Sequence, residues 1–326
     1  MHALILGAAG MIGRRLTKAL VASGAVGGAP LDALTLIDVV QPDAPAGFAG
    51  NVRTEAADLT APDAADAAIA GRPGLVFHLA AVVSGEAEAN LELGYRVNLD
   101  GTRLLLDAIR RAHLADGYRP KVVFTSSLAV FGPPLPPVIG DDWIVTPASS
   151  YGTQKAMGEL LLADYSRRGF LDGIALRLPT ICVRPGKPNK AASGFFSGII
   201  REPLAGQPAI LPVPETVRHW FASPSAAIGF LLHAAGLDLA RLGLRRALTL
   251  PGVSATVAEE IEALRKVGGD KAVALIRREP DPAVARIIET WPEAFATERA
   301  LDLGFTTDAS FDAIVAEHVA EFHAGT

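Results

Sequence analysis

Apolar positions along the first half of the chain come in short continuous runs. His2–Leu6 (HALIL), Leu34–Ile37, Val52–Ala56, Leu75–Leu79, Lys121–Thr125 and Gly173–Leu178 are each bounded by Gly, Pro, Asp or Asn residues. Runs of this length between turn residues read as strands buried in a sheet. Between them lie longer segments with apolar residues at three- and four-residue spacing. One runs through Arg14, Leu16, Leu20 and Val21, one from about Leu91 to His113, and one from Tyr151 to about Arg168. These read as amphipathic helices. Strictly alternating strands and helices predict an α/β fold, a doubly wound parallel sheet with helices on both faces.

After Leu178 the texture changes. Residues 179–214 are rich in Pro, Gly and Asn, including Arg184-Pro185-Gly186-Lys187-Pro188-Asn189. Such segments suit loops that wall a pocket. Helices are expected near Ser225–Ala235, Ala255–Val267, Ala283–Glu289 and Phe311–Phe322. The expected division is therefore 1–178, joined by parts of 224–252, as one domain, with 179–223 and 253–326 as a smaller C-terminal lobe. No internal repeat or low-complexity tract is present.

Composition narrows the classes of partner. The 326 residues carry a formal net charge of −5, and the basic residues are scattered. Neither nucleic acid nor an anionic membrane is expected as the main partner. The single Cys182 excludes an intramolecular disulfide and fits a reducing compartment, as a small apolar filler rather than a nucleophile. Met1 leads directly into the first strand with no basic leader, and no apolar run approaches a membrane span, so a cytoplasmic location is expected.

Chemistry enters at the first turn. The strand His2–Leu6 runs into Gly7-Ala8-Ala9-Gly10-Met11-Ile12-Gly13, and a helical pattern follows. Strand, glycine-rich turn and helix start make a dinucleotide pyrophosphate site. The glycines allow a tight turn and close backbone approach, and the helix N-terminus offers N–H groups to phosphate. The next strand ends in Asp38, whose carboxylate suits the adenosine ribose hydroxyls and repels a 2′-phosphate. Val39, Val40 and Gln41 follow, with no Arg or Lys to hold that phosphate. NAD is thus the expected cofactor on a Rossmann-type sheet. The long gap from Gly13 to Asp38 is assigned to a Gly/Ala-rich loop over Ser23–Ala33.

Tyr151 and Lys155 stand four apart in Ser150-Tyr151-Gly152-Thr153-Gln154-Lys155, so on a helix they share one face. A neighbouring cation favours phenolate and lowers the tyrosine pKa from its usual value near 10. Such a tyrosine can exchange a proton with a substrate hydroxyl near neutral pH. Ser127 lies upstream at the end of an apolar run. Because ligands bind beyond the carboxyl ends of parallel strands, Asp38, Asp58, Ala80, Ser127 and Pro179 are expected to border one cleft.

Together these pieces resemble the extended branch of the short-chain dehydrogenase/reductase superfamily, the NAD-dependent epimerase/dehydratase family. The carriers are Gly7–Gly13, Asp58-Leu59, His78-Leu79-Ala80-Ala81, Asn98-Leu99-Asp100-Gly101-Thr102, Thr125–Gly132, Tyr151–Lys155 and Arg177-Leu178-Pro179. The resemblance implies a catalytic Ser127, Tyr151 and Lys155. It implies cofactor contacts from Gly7, Gly10, Met11, Ile12, Gly13, Asp38, Asp58, Leu59, Ala80, Ala81, Asn98, Tyr151, Lys155 and Pro179. Asp58 would approach the adenine amino group, and Asn98 would support Lys155 through water. Helix capping or packing is the alternative for Asn98. No metal is implied.

Departures from the family pattern narrow the substrate. Sugar-nucleotide dehydratases carry an acidic pair after the catalytic Ser or Thr, whereas Leu128-Ala129 stand here, which argues against dehydration. Thr180 replaces the usual Asn after the sixth strand, and Arg184 stands where Gly is usual. A guanidinium in a pocket wall costs desolvation unless an anion meets it, and Arg binds carboxylates with a planar fork. Arg184, Lys187, Asn189 and Arg218 together suggest a small acidic substrate, and Ser127, Thr180, Arg184, Asn189 and Arg218 are the expected substrate contacts. Arg184 and Lys187 pointing to solvent is the alternative.

Within the branch, Ser126–Gly132, Tyr151–Lys155 and Arg177–Ser193 are most similar to D-erythronate dehydrogenases. That implies NAD-dependent oxidation of the C2 hydroxyl of a four-carbon sugar acid to a 2-oxo acid. A nucleotide-sugar 4-epimerase or reductase is the alternative enzyme. A cofactor-sensing regulator of this fold typically lacks the Tyr/Lys pair, and both residues are present. A homodimer is plausible by family analogy.

Overall fold

The computed structural model describes residues 1–186 and 193–323. Lys187 and Asn189, proposed above for the substrate side, lie outside the described residues. The chain clusters into two compact units. The first comprises 1–130, 149–177 and 228–248, and the second 131–148, 178–227 and 249–326.

The first unit is built on a seven-stranded sheet in the order Ala247–Thr249, Asp172–Leu178, Lys121–Ser127, Leu75–His78, His2–Leu6, Ala33–Asp38, Asn51–Ala56. His2–Leu6 pairs in parallel with Ala33–Asp38 on one side and with Leu75–His78 on the other. The strand order reverses at His2–Leu6, so the topological switch point lies at its carboxyl end, where Gly7 begins the glycine turn. Both faces of the sheet are covered, which is why its central strands are apolar rather than alternating. Leu4, Ile5, Leu6, Val76 and Phe77 are fully buried. Leu105, Leu106 and Ile109 from the Gly101–Asp116 helix share a core with Leu4, Leu6 and Val76.

The second unit has its own core. Phe196, Ile199 and Ile200 of the Gly194–Leu204 helix pack with Phe221, Val257, Ile261, Ile314 and Val315. A three-stranded sheet orders Val253–Thr256, Arg218–Ala222 and Thr180–Ile181. The helix Val257–Val273 starts with a full capping box, Thr256 and Glu259 bonding each other's backbone N–H groups.

Several expected elements differ in detail. The expected Leu91–His113 helix runs unbroken to Asp116, but between the α-helical Leu91–Gly94 and Gly101–Asp116 its Tyr95–Asp100 stretch is π-helical. The wide turn lets Asn98 point inward at 1% exposure. The expected Ser23–Ala33 loop holds a two-stranded hairpin, Ala25–Val26 with Ala29–Pro30. Residues 179–214, expected to be loop, include the Gly194–Leu204 helix, whose Pro203 lies near its C-terminal end. The seventh strand, Ala247–Thr249, is too short to register as a periodic pattern. No helix among the described residues is long and apolar enough to cross a membrane.

Candidate active site

The glycine turn is built for close approach. Gly7 has φ +88°, and a Cβ there would lie 2.7 Å from the Ala80 backbone nitrogen. A Cβ at Gly13 would lie 2.2 Å from the Gly7 carbonyl oxygen. Glycine is therefore required at both positions, by the left-handed backbone at Gly7 and by helix-on-turn packing at Gly13. Among the described residues no side chain caps the helix Met11–Ser23 at Gly10, so its first turn can take a ligand anion instead. The Asp38 carboxylate accepts a hydrogen bond from the Ala9 N–H at 2.9 Å. That places the Asp38 carboxylate against the glycine turn.

Asp58 accepts from the Thr60 N–H at 2.9 Å and from its hydroxyl at 2.7 Å. Those two bonds hold its pKa below the usual carboxylate range, with a smaller contribution from Arg96. Leu59 is buried beside it.

The segment after the Leu75–His78 strand carries Ala80 and Ala81 and is tied down by Asn98. Asn98 Oδ1 accepts from the Val82 N–H at 2.9 Å, and Nδ2 donates to the Val82 carbonyl at 3.2 Å and to Gln154 Oε1 at 2.7 Å. The Asn98 amide thus clamps the Ala80–Val82 backbone to the helix that bears Tyr151 and Lys155.

Ser149 caps the Ser150–Arg167 helix by accepting from the Gly152 N–H. One turn in, Lys155 is only 2% exposed. Its Nζ donates to the Thr125 carbonyl at 2.8 Å and lies 4.7 Å from the Phe124 ring centre and 5.7 Å from that of Tyr151. Burial lowers its pKa to about 7, opposed by the Glu159 carboxylate. Ser127 ends the Lys121–Ser127 strand, and its Oγ accepts from the Ala129 N–H at 3.2 Å. Thr125 and Ser127 are two apart on one strand, so their side chains share a face. Ser127, Tyr151 and Lys155 are therefore assembled on two adjoining elements of the first unit, linked by the Lys155–Thr125 bond.

His78 lies beneath this group. The Thr102 hydroxyl donates to the Asn98 carbonyl, which leaves its oxygen to accept from His78 Nε2 at 2.8 Å. His78 is then the neutral Nε2–H tautomer, and burial followed by the charge of Lys155 lowers its pKa to about 3.

In the second unit, Thr180 Oγ1 lies 2.7 Å from His219 Nε2, and His219 Nδ1 lies 3.1 Å from the Pro292 carbonyl. A carbonyl only accepts, so Nδ1 carries the proton and Nε2 accepts from the Thr180 hydroxyl. Burial lowers the His219 pKa to about 4. Arg184 donates from Nε to the Ile181 carbonyl at 3.0 Å and from Nη2 to Ser193 Oγ. Arg218 donates to the Ser254 carbonyl at 3.2 Å and pairs with Glu259 at 3.4 Å. Sequence reasoning passed over Gln154, Glu159 and His219. For Glu159 a signal existed, since it stands one helical turn after Lys155. Among the described residues no group of three or more His, Cys, Asp or Glu could hold a metal ion.

Comparison with known proteins decides the family. The description "NAD dependent epimerase/dehydratase family" matches residues 3–223. The chain belongs to the NAD dependent epimerase/dehydratase family. It is similar to a D-erythronate dehydrogenase from Cupriavidus necator, at 51% identity over 320 residues and 97% of each chain. A second D-erythronate dehydrogenase, from Haemophilus influenzae, is 44% identical over 98% of this chain and 99% of that one. A crystal structure described as a nucleoside-diphosphate-sugar epimerase from Agrobacterium tumefaciens superposes with a TM-score of 0.97 at 61% identity. It covers 100% of this chain and 95% of that one. Membership in an epimerase/dehydratase family implies a nicotinamide cofactor. The residues present fit one: a turn that no Cβ could enter, an uncapped helix start and an acid at the end of the second strand.

Proposed function

We propose that the protein oxidises the C2 hydroxyl of D-erythronate, giving 2-dehydro-D-erythronate, with NAD as the electron acceptor. The observation that carries this reading is the identity of 51% and 44% to two D-erythronate dehydrogenases over essentially whole chains. Asp38, followed by Val39, Val40 and Gln41, favours NAD over NADP, because a carboxylate repels a 2′-phosphate.

With its pyrophosphate held by the glycine turn, a nicotinamide dinucleotide would supply the acceptor for the hydride leaving C2. The Ser127 hydroxyl orients the substrate oxygen. Tyr151, as phenolate, takes the hydroxyl proton, and the positive charge of Lys155 favours that phenolate. Asn98 fixes the Ala80–Val82 backbone on the cofactor side. Arg184 is assigned to the substrate carboxylate and Thr180 to a substrate hydroxyl. Engaged as a donor to His219, the Thr180 hydroxyl keeps only its accepting capacity, which suits a hydroxyl rather than a carboxylate.

The 61% identity to a protein described as a nucleoside-diphosphate-sugar epimerase favours a second reading, epimerisation with tightly held NAD. Purified protein given NAD⁺ and D-erythronate separates the two. Net NADH formation supports the dehydrogenase. Interconversion of nucleotide hexoses without net NADH supports the epimerase.

A further inference from the structure

Glu159 stands one helical turn beyond Lys155 and is 5% exposed. Its carboxylate accepts three hydrogen bonds. Ser126 Oγ donates to Oε1 at 2.5 Å, Arg177 Nε to Oε1 at 2.9 Å and Arg177 Nη2 to Oε2 at 2.7 Å. The Arg177 fork is the two-pronged geometry of a strong charged pair. A buried ion pair is a poor source of stability, since desolvating both charges offsets their attraction. Its location suggests another use.

Ser126 sits between two residues of the candidate site. Thr125 gives the carbonyl that holds Lys155 Nζ, and Ser127 gives the hydroxyl assigned to the substrate. Strand alternation turns the Ser126 side chain to the opposite face from both. Glu159 therefore holds the strand end through the Ser126 side chain, while Lys155, on the same helix face, holds it through the Thr125 carbonyl. The helix and the strand end are held at two points that flank the site.

The same carboxylate is the anion of Lys155's surroundings. On its own helix Lys155 faces Tyr151 and Glu159. From the Leu75–His78 strand it meets His78, which burial keeps neutral. From the Asp172–Leu178 strand comes Arg177, already paired with Glu159. The Lys121–Ser127 strand contributes the Thr125 carbonyl and the Phe124 ring.

We propose that Glu159 is a positioning residue for proton transfer at Tyr151, holding the Thr125–Ser127 strand end through Ser126 and keeping Lys155 cationic through its charge. The proposal rests on the reading that Ser127, Tyr151 and Lys155 carry out that transfer. Its two parts separate by substitution. Ser126→Ala removes the tie and leaves the charge. Glu159→Gln removes the charge. Glu159→Asp keeps the charge at shorter reach.

The experiment records kcat for D-erythronate oxidation from about pH 5 to about pH 9, spanning a lysine titration at about 7 and its expected downward shift, in wild type and the three variants. Removing an anion beside a cation lowers the cation's pKa. Glu159→Gln should therefore shift the alkaline loss of activity to lower pH, by about one unit, and Glu159→Asp should return it toward wild type. Ser126→Ala should lower kcat several-fold with the limb unmoved. In parallel, the titration of Lys155 is followed by NMR on lysine-labelled, cofactor-free protein, which needs no substrate. A lower Lys155 midpoint in Glu159→Gln supports the charge role even if D-erythronate proves the wrong substrate. An unchanged midpoint in folded Glu159→Gln, with a uniformly reduced pH profile, would overturn it and leave Glu159 a structural residue.

Discussion

Lys155 donates to the carbonyl oxygen of Thr125, 2.8 Å away, and this bond joins the helix carrying Tyr151 to the strand ending in Ser127. A lysine buried this deeply loses hydration, which is why its pKa falls to about 7. Its charge is then sensitive to whatever binds beside it. A depressed lysine is well suited to respond to its neighbours, whereas an exposed one would remain charged whatever bound.

The proton-transfer role of Tyr151 is the simplest to test. Tyr151→Phe keeps the ring against Lys155 and removes only the phenolic oxygen. Turnover should fall by about 10²–10⁴-fold, the usual contribution of general acid–base catalysis. Binding of NAD⁺, followed by quenching of intrinsic fluorescence, should stay near wild type. Wild-type-like turnover would remove Tyr151 from the mechanism.

Asp38 should set cofactor choice. Asp38→Ser removes a charged acceptor from the ribose hydroxyls, a loss of about 1.5–3 kcal/mol. The KM for NAD⁺ should rise roughly 10- to 100-fold, at about 1.4 kcal/mol per tenfold. Activity with NADP⁺ should rise relative to NAD⁺. An unchanged ratio of the two would show that Asp38 does not read the 2′ position.

Arg184 and Arg218 give opposite expectations. Arg218 already serves Ser254 and Glu259, so Arg218→Ala should alter stability more than substrate binding. Arg184→Ala should raise the KM for sugar acids by about tenfold or more, the scale of a lost charge-assisted contact. Saturation curves that overlay wild type would take the carboxylate away from Arg184.

Stability should fall on the acid side because of two buried histidines. His78 and His219 have pKa values of about 3 and about 4 in the folded state, against 6.5 in a model peptide. The unfolded chain therefore binds more protons between pH 6.5 and pH 4, and stability drops as pH falls through that window. Each histidine contributes up to about 1.4 kcal/mol per pH unit there. His219→Gln should flatten the dependence of the urea midpoint on pH. Glu260 acts in the opposite sense. Buried, with no hydrogen-bond partner for either oxygen among the described residues, it has a pKa well above the usual range. Its contribution is therefore lost as pH rises above about 4.5, and Glu260→Gln should lessen the alkaline decline.

The parts legible in the sequence are those in which one residue type answers one local demand. The Gly7–Gly13 turn needs backbone that no Cβ permits, and Asp38 closes a strand of buried aliphatics. Tyr151 and Lys155 share a helix face by spacing alone. What was hidden depends on partners far along the chain. The π-helical turn that points Asn98 inward is built from residues ordinary in any helix, and Gln154 and Val82, which it bonds, lie 56 and 16 residues away. The Gly194–Leu204 helix was masked by the proline-rich segment before it and by Pro203 inside it. The pairing of Arg218 with Glu259 of the capping box, 41 positions along the chain, was likewise not legible.

The most direct test of the account is absorbance in the NADH band when the purified protein meets NAD⁺ and D-erythronate, beside other C4 to C6 aldonic and uronic acids and with NADP⁺ as control. The account predicts rapid NADH formation with D-erythronate and little with NADP⁺. Silence across the sugar acids, from protein that carries tightly bound NAD and interconverts nucleotide hexoses, would contradict it.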